Sequence, residues 1–427
     1  MTTWLRGLRL AGATLAALGL AWSCASCSAA PSRLVSSASV ASAVPGQRLW
    51  ASKVAGACCS VGTVSKDGTV FVAADVKSHV DTVAYSGATG ARLWARAYQG
   101  REFNAPRAIT VSPDGSTVYV TASVTGGKAA DAVATIAYDA RTGRQVWVSR
   151  FRPKYGADAS ALAVSPDGTT LYVAGYGRVA SSPWQFSVIA YAAATGQQRW
   201  QRYYPSPAQY GEAMSVAVSP DGQTIYATGQ AGTTAVTVAY RAAGTLKWAA
   251  RYTSPYKGFA EGEKIVVAPD GGAVYVADRE SAPKNHVDIA TLAYRAATGR
   301  PMWRDQTLGG VPDIAVTPNG QSVIVDGPEN YTHITMAAYN ASTGATQWSR
   351  LAPGTNLFPS GLVINATGDT LFIGGDSTMA FSVADGAVLW ATSTAWGSGV
   401  FGLSGSTARV FGTRKSSAGI TTFAYQT

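Results

Sequence analysis

Ala137-Tyr138-Asp139-Ala140-Arg141-Thr142-Gly143-Arg144-Gln145-Val146-Trp147 contains the unit that organises this chain: a small-aromatic pair, a turn, and a Gly followed four residues later by a Trp. The Gly-to-Trp step occurs eight times, ending at Trp50, Trp94, Trp147, Trp200, Trp248, Trp303, Trp348 and Trp390. Its glycines are Gly46, Gly90, Gly143, Gly196, Gly244, Gly299, Gly344 and Gly386. Successive Trps stand about 42 to 55 residues apart, the length of one four-stranded propeller blade. The expected architecture is therefore all-β. Most of the Trp content belongs to structure rather than to chemistry.

Two further marks keep the same phase. A small-aromatic pair precedes each turn, from Ala84-Tyr85 to Ala380-Phe381 and Ala424-Tyr425. A polar turn recurs as Ser65-Lys66-Asp67-Gly68, Ser112-Pro113-Asp114-Gly115, Ser165-Pro166-Asp167-Gly168 and Ser219-Pro220-Asp221-Gly222. It degenerates through Thr317-Pro318-Asn319-Gly320 and Asn365-Ala366-Thr367-Gly368 to Ser404-Gly405. Pro presets φ at the first central position, Asp accepts from nearby backbone NH groups, and Gly supplies positive φ. The runs that follow, such as Thr117-Val118-Tyr119-Val120-Thr121, are β-branched or aromatic, which is strand chemistry. Each repeat thus reads as inner strand a, a Ser-Pro-Asp-Gly turn, strand b, a variable loop, strand c ending in Ala-Tyr, a glycine turn, and strand d carrying the Trp.

The two ends of the chain complement each other. Gly46 to Trp50 has no a, b or c strand before it, and the last unit ends at Ala424-Tyr425 with no d strand after it. The spacing predicts an eight-bladed β-propeller closed by the N-terminal strand, which removes exposed sheet edges. A seven-bladed ring would require one unit to be excluded, and none is the outlier.

The segment from Ala137 to Trp147 resembles the Ala-x-Asp-x-x-Thr-Gly-x-x-x-Trp docking motif of the quinoprotein alcohol dehydrogenase-like propellers built from PQQ repeats. The resemblance extends with small losses over 46–427. It implies that each Trp wedges between neighbouring blades. The Ser-Pro-Asp-Gly turns and Val118-Tyr119-Val120-Thr121 are also similar to the YVTN-type propellers of cell surfaces. Propellers host many unrelated functions, so the resemblance speaks first to fold.

The N-terminus reads as an export signal over 1–27. Arg6 and Arg9 precede an apolar run from Leu10 to Trp22, which has signal-peptide length and is short for a membrane span. Cys27 follows Ala25-Ser26, and Cys24 follows Leu20-Ala21-Trp22-Ser23, so lipidation at either and ordinary cleavage all remain open, with Cys27 the lipidation candidate. Residues 28–45 are rich in Ser and Ala and read as a flexible tether. The propeller domain occupies 46–427. The formal net charge is +10. The basic residues are scattered, without the patch or stripe that nucleic-acid binding requires.

Familiar catalytic signatures are absent: there is no Cys-x-x-Cys-His, no phosphate-binding glycine loop and no His-Glu-x-x-His. His79, His286 and His333 fall in or near different b–c connections and read as surface residues. In a blade the d–a and b–c connections emerge on one side and the two glycine turns on the other. The turns here are uniform and the connections vary, which places function on the connection side. Glu102, Asp158, Glu212, Glu261, Glu263 and Asp313 fall there, at or near the starts of inner strands. Phe103, Tyr155, Tyr210, Tyr256, Phe259 and Trp396 lie in the same loops, with Trp184 in a b–c loop. A rim of acids and aromatics suits a sugar, a peptide or a cationic small molecule.

Cys58-Cys59 lies in the connection entering the first blade. Export puts the chain in an oxidising compartment, and with Cys24 and Cys27 removed or lipidated the adjacent pair is expected to form a disulfide. In the quinoprotein dehydrogenases such a pair lies against the quinone, so the resemblance implies pyrroloquinoline quinone and calcium as cofactors of an alcohol or sugar dehydrogenase. Those enzymes are longer, however, and their calcium-holding Glu, Asn and Asp set has no residue-by-residue match here.

The first expectation is a non-catalytic, secreted or envelope-tethered monomeric propeller without a cofactor. It binds a ligand or protein on the d–a/b–c face, and membrane contact is expected only where the N-terminus carries a lipid. The quinone- and calcium-dependent dehydrogenase is the alternative.

Overall fold

A computed structural model of the chain describes residues 36–38, 44–99, 103–126, 129–178, 184–206, 210–283, 286–329, 333–353, 361–374, 377–392, 398–404 and 408–427. The described residues form eight antiparallel sheets and no α-helix. Blades 1 to 7 span 57–98, 103–151, 157–204, 211–252, 260–308, 313–353 and 362–391, each with its four strands in sequence order. Blade 8 takes Ser398–Ser404, Arg409–Ser416 and Gly419–Gln426 from the C-terminus and Arg48–Ala55 from the N-terminus. The inner strands pack side by side around the ring, the first against the last, and enclose the central axis.

Closure follows the expected register. Arg48 pairs with Tyr425, Trp50 with Ala424 and Ala55 with Gly419. Gly46 N donates to the Gln426 carbonyl at 2.9 Å, and Gln426 N to the Gln47 carbonyl at 3.0 Å. One difference appears in the segment expected to be an unstructured tether. Ser36–Ala38 forms a short strand pairing with Arg48–Ala55, so the Trp50 strand is not the outermost of its sheet. An otherwise open sheet edge offers unpaired backbone groups to whatever chain is tethered beside it. The signal region and the lipidation candidates Cys24 and Cys27 lie outside the described residues.

The repeat marks are inter-blade joints. A register shift beside each Trp, as between Gln145 and Trp147, bends strand d locally and aims the indole at the next blade. There the Nε1 donates to a backbone carbonyl: Trp94 to Ala140 at 2.7 Å, Trp147 to Ala193 at 2.9 Å, Trp248 to Ala296 at 2.9 Å. The ring packs on the aromatic of the small-aromatic pair, as Trp94 does on Tyr138 at 6.1 Å between centroids. Apolar clusters therefore bridge neighbouring blades; one joins Tyr172 and Trp200 of blade 3 to Val238 and Tyr240 of blade 4.

The turn side is self-contained. In the Ser-Pro-Asp-Gly turns Ser112 Oγ donates to Asp114 and accepts from Thr117 N at 2.9 Å, and Ser165 and Ser219 repeat the pattern. These bonds hold the Asp114, Asp167 and Asp221 carboxyls below their ordinary range. Their charges are thus spent within their own turns.

Candidate functional site

The starts of the inner strands carry polar side chains that link blade to blade. In blade 2, Arg107 makes an ion pair with Asp158 of blade 3, and Ser123 Oγ also donates to Asp158. Asp158 Oδ1 accepts from Ala159 N at 2.7 Å. One blade further, Ser160 Oγ donates to Glu212 Oε1 at 2.6 Å, and Tyr210 Oη donates to Glu212 Oε2. Burial pushes the Glu212 carboxyl up to about 7, opposed by the bonds from Ser160 and Tyr210. Aromatic rings flank this chain. Tyr210 lies 5.9 Å from Tyr176, which meets Trp184 edge-on at 4.3 Å, and the Arg178 guanidinium lies over Trp184 at 5.2 Å.

The belt continues into blade 5 with more acid than base. Glu261 and Glu263 both lie 3.9 Å from Arg279 Nη1, too far for a hydrogen bond. Arg279 lies over the Phe259 ring at 4.9 Å. Burial, then the neighbouring Glu261, raises Glu263 to about 7. Asp278 stands opposite Gly262 in the register, is fully buried, and has no hydrogen-bond partner on either carboxylate oxygen. Burial, then Glu280, Glu263 and Glu261, drives its carboxyl well above the usual range. In blade 6, Asp326 is fully buried; burial, then Asp313, raises it to about 8. Its Oδ1 accepts from Asp313 N at 3.3 Å.

Blade 5 also carries acid chemistry towards its outer edge. Tyr252 Oη of blade 4 donates to Glu280 Oε2 at 2.7 Å, while Arg304 donates to Glu280 Oε1 at 2.8 Å and to Tyr252 Oη at 2.7 Å. Tyr252 and Arg304 line a cavity of about 400 Å³ with Leu292, Tyr294 and Trp303.

The residues expected at the site divide clearly. Asp158, Glu212 and Trp184 come together with Tyr210 across blades 3 and 4, and Glu261 and Glu263 lie in the adjoining blade 5. Asp313 joins through its backbone bond to Asp326. Glu102 and Trp396 lie outside the described residues. Cys58 and Cys59 sit in the inner strand of blade 1, three blades from Glu212. The expected disulfide between them is not formed. Their sulfurs are 3.5 Å apart, far beyond the roughly 2 Å of a bond. The strand Ala57–Val64 shifts register between Ala57 and Ser60, so the two cysteines sit at an irregularity of the ladder, with their sulfurs near each other but not bonded.

Arg107, Asp278, Arg279 and Asp326 were not expected. For Asp278 a signal existed. Asp278 occupies the register place held by Gly175, Gly229 and Ala122 in blades 3, 4 and 2. A charge where the other repeats have a small residue marks a local specialisation.

The donor set does not fit calcium: among the described residues no three His, Cys, Asp or Glu side chains are placed to hold a metal ion. With the Cys58-Cys59 bond also missing, we derive no step through a quinone. No helix among the described residues is long and apolar enough to cross a membrane.

A family model described as outer membrane protein assembly factor BamB matches residues 36–284 and 289–419. No curated protein sequence matches the chain. Among solved structures, BamB from Moraxella catarrhalis is similar at 15% identity and a TM-score of 0.59, covering 86% of this chain and 96% of that one. The C-terminal WD40 domain of Sif2 is similar at 9% identity and a TM-score of 0.62, covering 88% and 99%. The quinohemoprotein alcohol dehydrogenase from Comamonas testosteroni is similar at 13% identity and a TM-score of 0.54, covering 87% and 76%. At these identities the likeness is one of fold.

Proposed function

The chain belongs to the family described as outer membrane protein assembly factor BamB, and on that footing we propose that it is a non-catalytic, exported propeller that docks a partner protein of the cell envelope on its d–a/b–c face. The observation that carries this reading is the contrast between the two faces. On the turn side the aspartates are consumed by their own turns. On the connection side a belt of acids, arginines and aromatic rings runs across blades 2 to 6. Tyr155 and Tyr256 stand exposed beside it on d–a connections, as anchors for an interface. The family description supports protein partners over a redox substrate, and no observation favours the quinone enzyme. Adding quinone and calcium should accordingly yield no dye-linked oxidation of alcohols or sugars.

The test is photocross-linking in living cells. A photoreactive residue at Tyr155 or Tyr256 should give a discrete cross-linked product, and one at Lys66 or Gln197 on the turn side should not. Products only from the turn side, or equally from both, would overturn the assignment.

A further inference from the structure

We propose that the connection-side mouth between blades 3 and 4 binds a short saccharide, with a sugar ring stacked on the Trp184 and Tyr176 pair and hydroxyls bonded to Arg107 and Glu212. The site goes beyond the docking reading and stands whether or not a protein docks beside it.

Convergence is the first observation. Asp158 on the inner strand Ala157–Val164 stands opposite Tyr176 on Thr170–Arg178, and Trp184 opens the third strand opposite Arg178. Tyr176 and Arg178, two residues apart, share one sheet face. Tyr210-Gly211-Glu212 of blade 4 packs against it: a Cβ at Gly211 would stand 3.1 Å from Phe186 N and 3.4 Å from the Trp184 carbonyl oxygen. The Tyr176 ring lies 4.3 Å from Trp184 and 5.9 Å from Tyr210 between centroids, and Tyr210 Oη donates to Glu212. Burial opposes the charge on Arg107, and Asp158, Tyr176 and Glu212 all support it. The polar groups at the axis and the rings further out therefore form one continuous row.

The second observation is independent. Opposite the inner-strand acid, blade 4 sets Gln230 against Glu212 and blade 5 sets Arg279 against Glu261, whereas blade 3 sets the Tyr176 ring against Asp158. The blade fold does not require an aromatic there. Phe186, two residues after Trp184 on the same strand, is fully buried and closes the core beneath. Trp184 and Tyr176 stay half-buried above it. Rings left partly open over a finished core forgo part of their burial energy and present a stacking surface instead.

The polar chemistry selects the ligand. A sugar offers an apolar C–H face to a ring and hydroxyls around its edge. Arg107 spends Nε and Nη2 on Ser123 and Asp158, and its Nη1 has no partner among the described residues. Glu212 accepts one bond on each oxygen, from Ser160 and Tyr210, and each oxygen keeps a further lone pair. A donor and an acceptor side by side suit hydroxyls, which are both. An organic cation fits less well, because the Arg178 guanidinium already lies over Trp184 at 5.2 Å and Arg107 stands at the acids.

The experiment is titration calorimetry on the full chain. The probes are cellotriose, maltotriose and N-acetylchitotriose, with choline as the cationic comparison. At least one trisaccharide should bind saturably at one site per chain and shift the tryptophan fluorescence, and choline should not bind. Trp184→Ala and Tyr176→Gln should each weaken that binding by about tenfold or more while changing Tm little. Tyr176→Gln installs the residue blade 4 carries at this place, so it keeps the test open if Trp184→Ala fails to fold. Pelleting of the chain with insoluble peptidoglycan, lost in Trp184→Ala, identifies an envelope glycan as the source; trisaccharide binding without pelleting identifies a free saccharide. The proposal is overturned by failure of every trisaccharide at about 10 mM together with no pelleting, by preference for choline, or by undiminished binding in both variants.

Discussion

Trp390 lies over Gly46: a Cβ added to that glycine would stand 3.0 Å from the indole. The same relation joins Trp50 to Gly90 at 2.6 Å, Trp94 to Gly143 at 2.6 Å and Trp147 to Gly196 at 2.4 Å. The Gly four residues before each Trp thus serves the Trp of the preceding blade. Each strand d receives one indole and delivers another, and Trp390 to Gly46 completes the circle across the two ends of the chain.

Gly90 and Gly115 separate the two reasons for a glycine. Both have positive φ, 72° and 76°, but a Cβ at Gly115 meets nothing within 4 Å. Both Ala variants incur the left-handed penalty. Gly90→Ala additionally overpacks against Trp50 and should cost about 1–3 kcal/mol more in chemical denaturation. Equal losses would show that the indole does not fix this position.

Truncation tests ring closure. Among the described residues, removing the chain up to 43 takes away only the three-residue strand Ser36–Ala38 and should change Tm little. Removing residues through Trp50 uncovers the edge of Gly419–Gln426 and deletes an indole that is 3% exposed and bonded to the Gly87 carbonyl at 2.9 Å. The Trp alone should cost about 3–5 kcal/mol. Two truncations of equal stability would contradict closure by this strand.

Arg107 and Asp158 should behave as one unit. Their side chains are 23% and 13% exposed, and the pair ties two inner strands together. A double-mutant cycle with Arg107→Met and Asp158→Asn should give a coupling energy of about 1–3 kcal/mol, within the range for contacting residues. Additive losses would mean the pair contributes nothing to stability.

Stability should decline from mildly acidic towards alkaline pH. Glu212 and Glu263 titrate at about 7 and Asp326 at about 8 when folded, against 4.5 and 3.8 as free side chains. The folded state therefore holds their protons more tightly than the unfolded chain, and stability falls as pH rises through that window. The turn aspartates are depressed, so their contribution is complete above 3.8 and lost below it. Glu212→Gln with Glu263→Gln should flatten the decline. An unchanged slope would show that these carboxyls are not the titrating groups.

The fold was legible because its determinants are local and repeated: a turn, an aromatic and a Trp in fixed phase. Asp158, Glu212 and Glu261 were legible because they begin inner strands, where the repeat opens onto the channel. Asp278 and Asp326 were hidden inside strand runs such as Val274-Tyr275-Val276-Ala277-Asp278. Their meaning depends on partners that lie far off in sequence or are lacking. Arg107 was missed because its carboxylate belongs to the next blade. Cys58 and Cys59 misled because adjacency along a chain does not set the geometry of two sulfurs in an extended strand.

Hydrogen–deuterium exchange on the purified chain, alone and with its cross-linked partner, tests the docking face most directly. Protection should concentrate in the d–a connections at 153–156, 253–259 and 309–312 and leave the turns at 113–116, 166–169 and 220–223 unchanged. Protection confined to the turns, or spread evenly over both faces, would contradict the account.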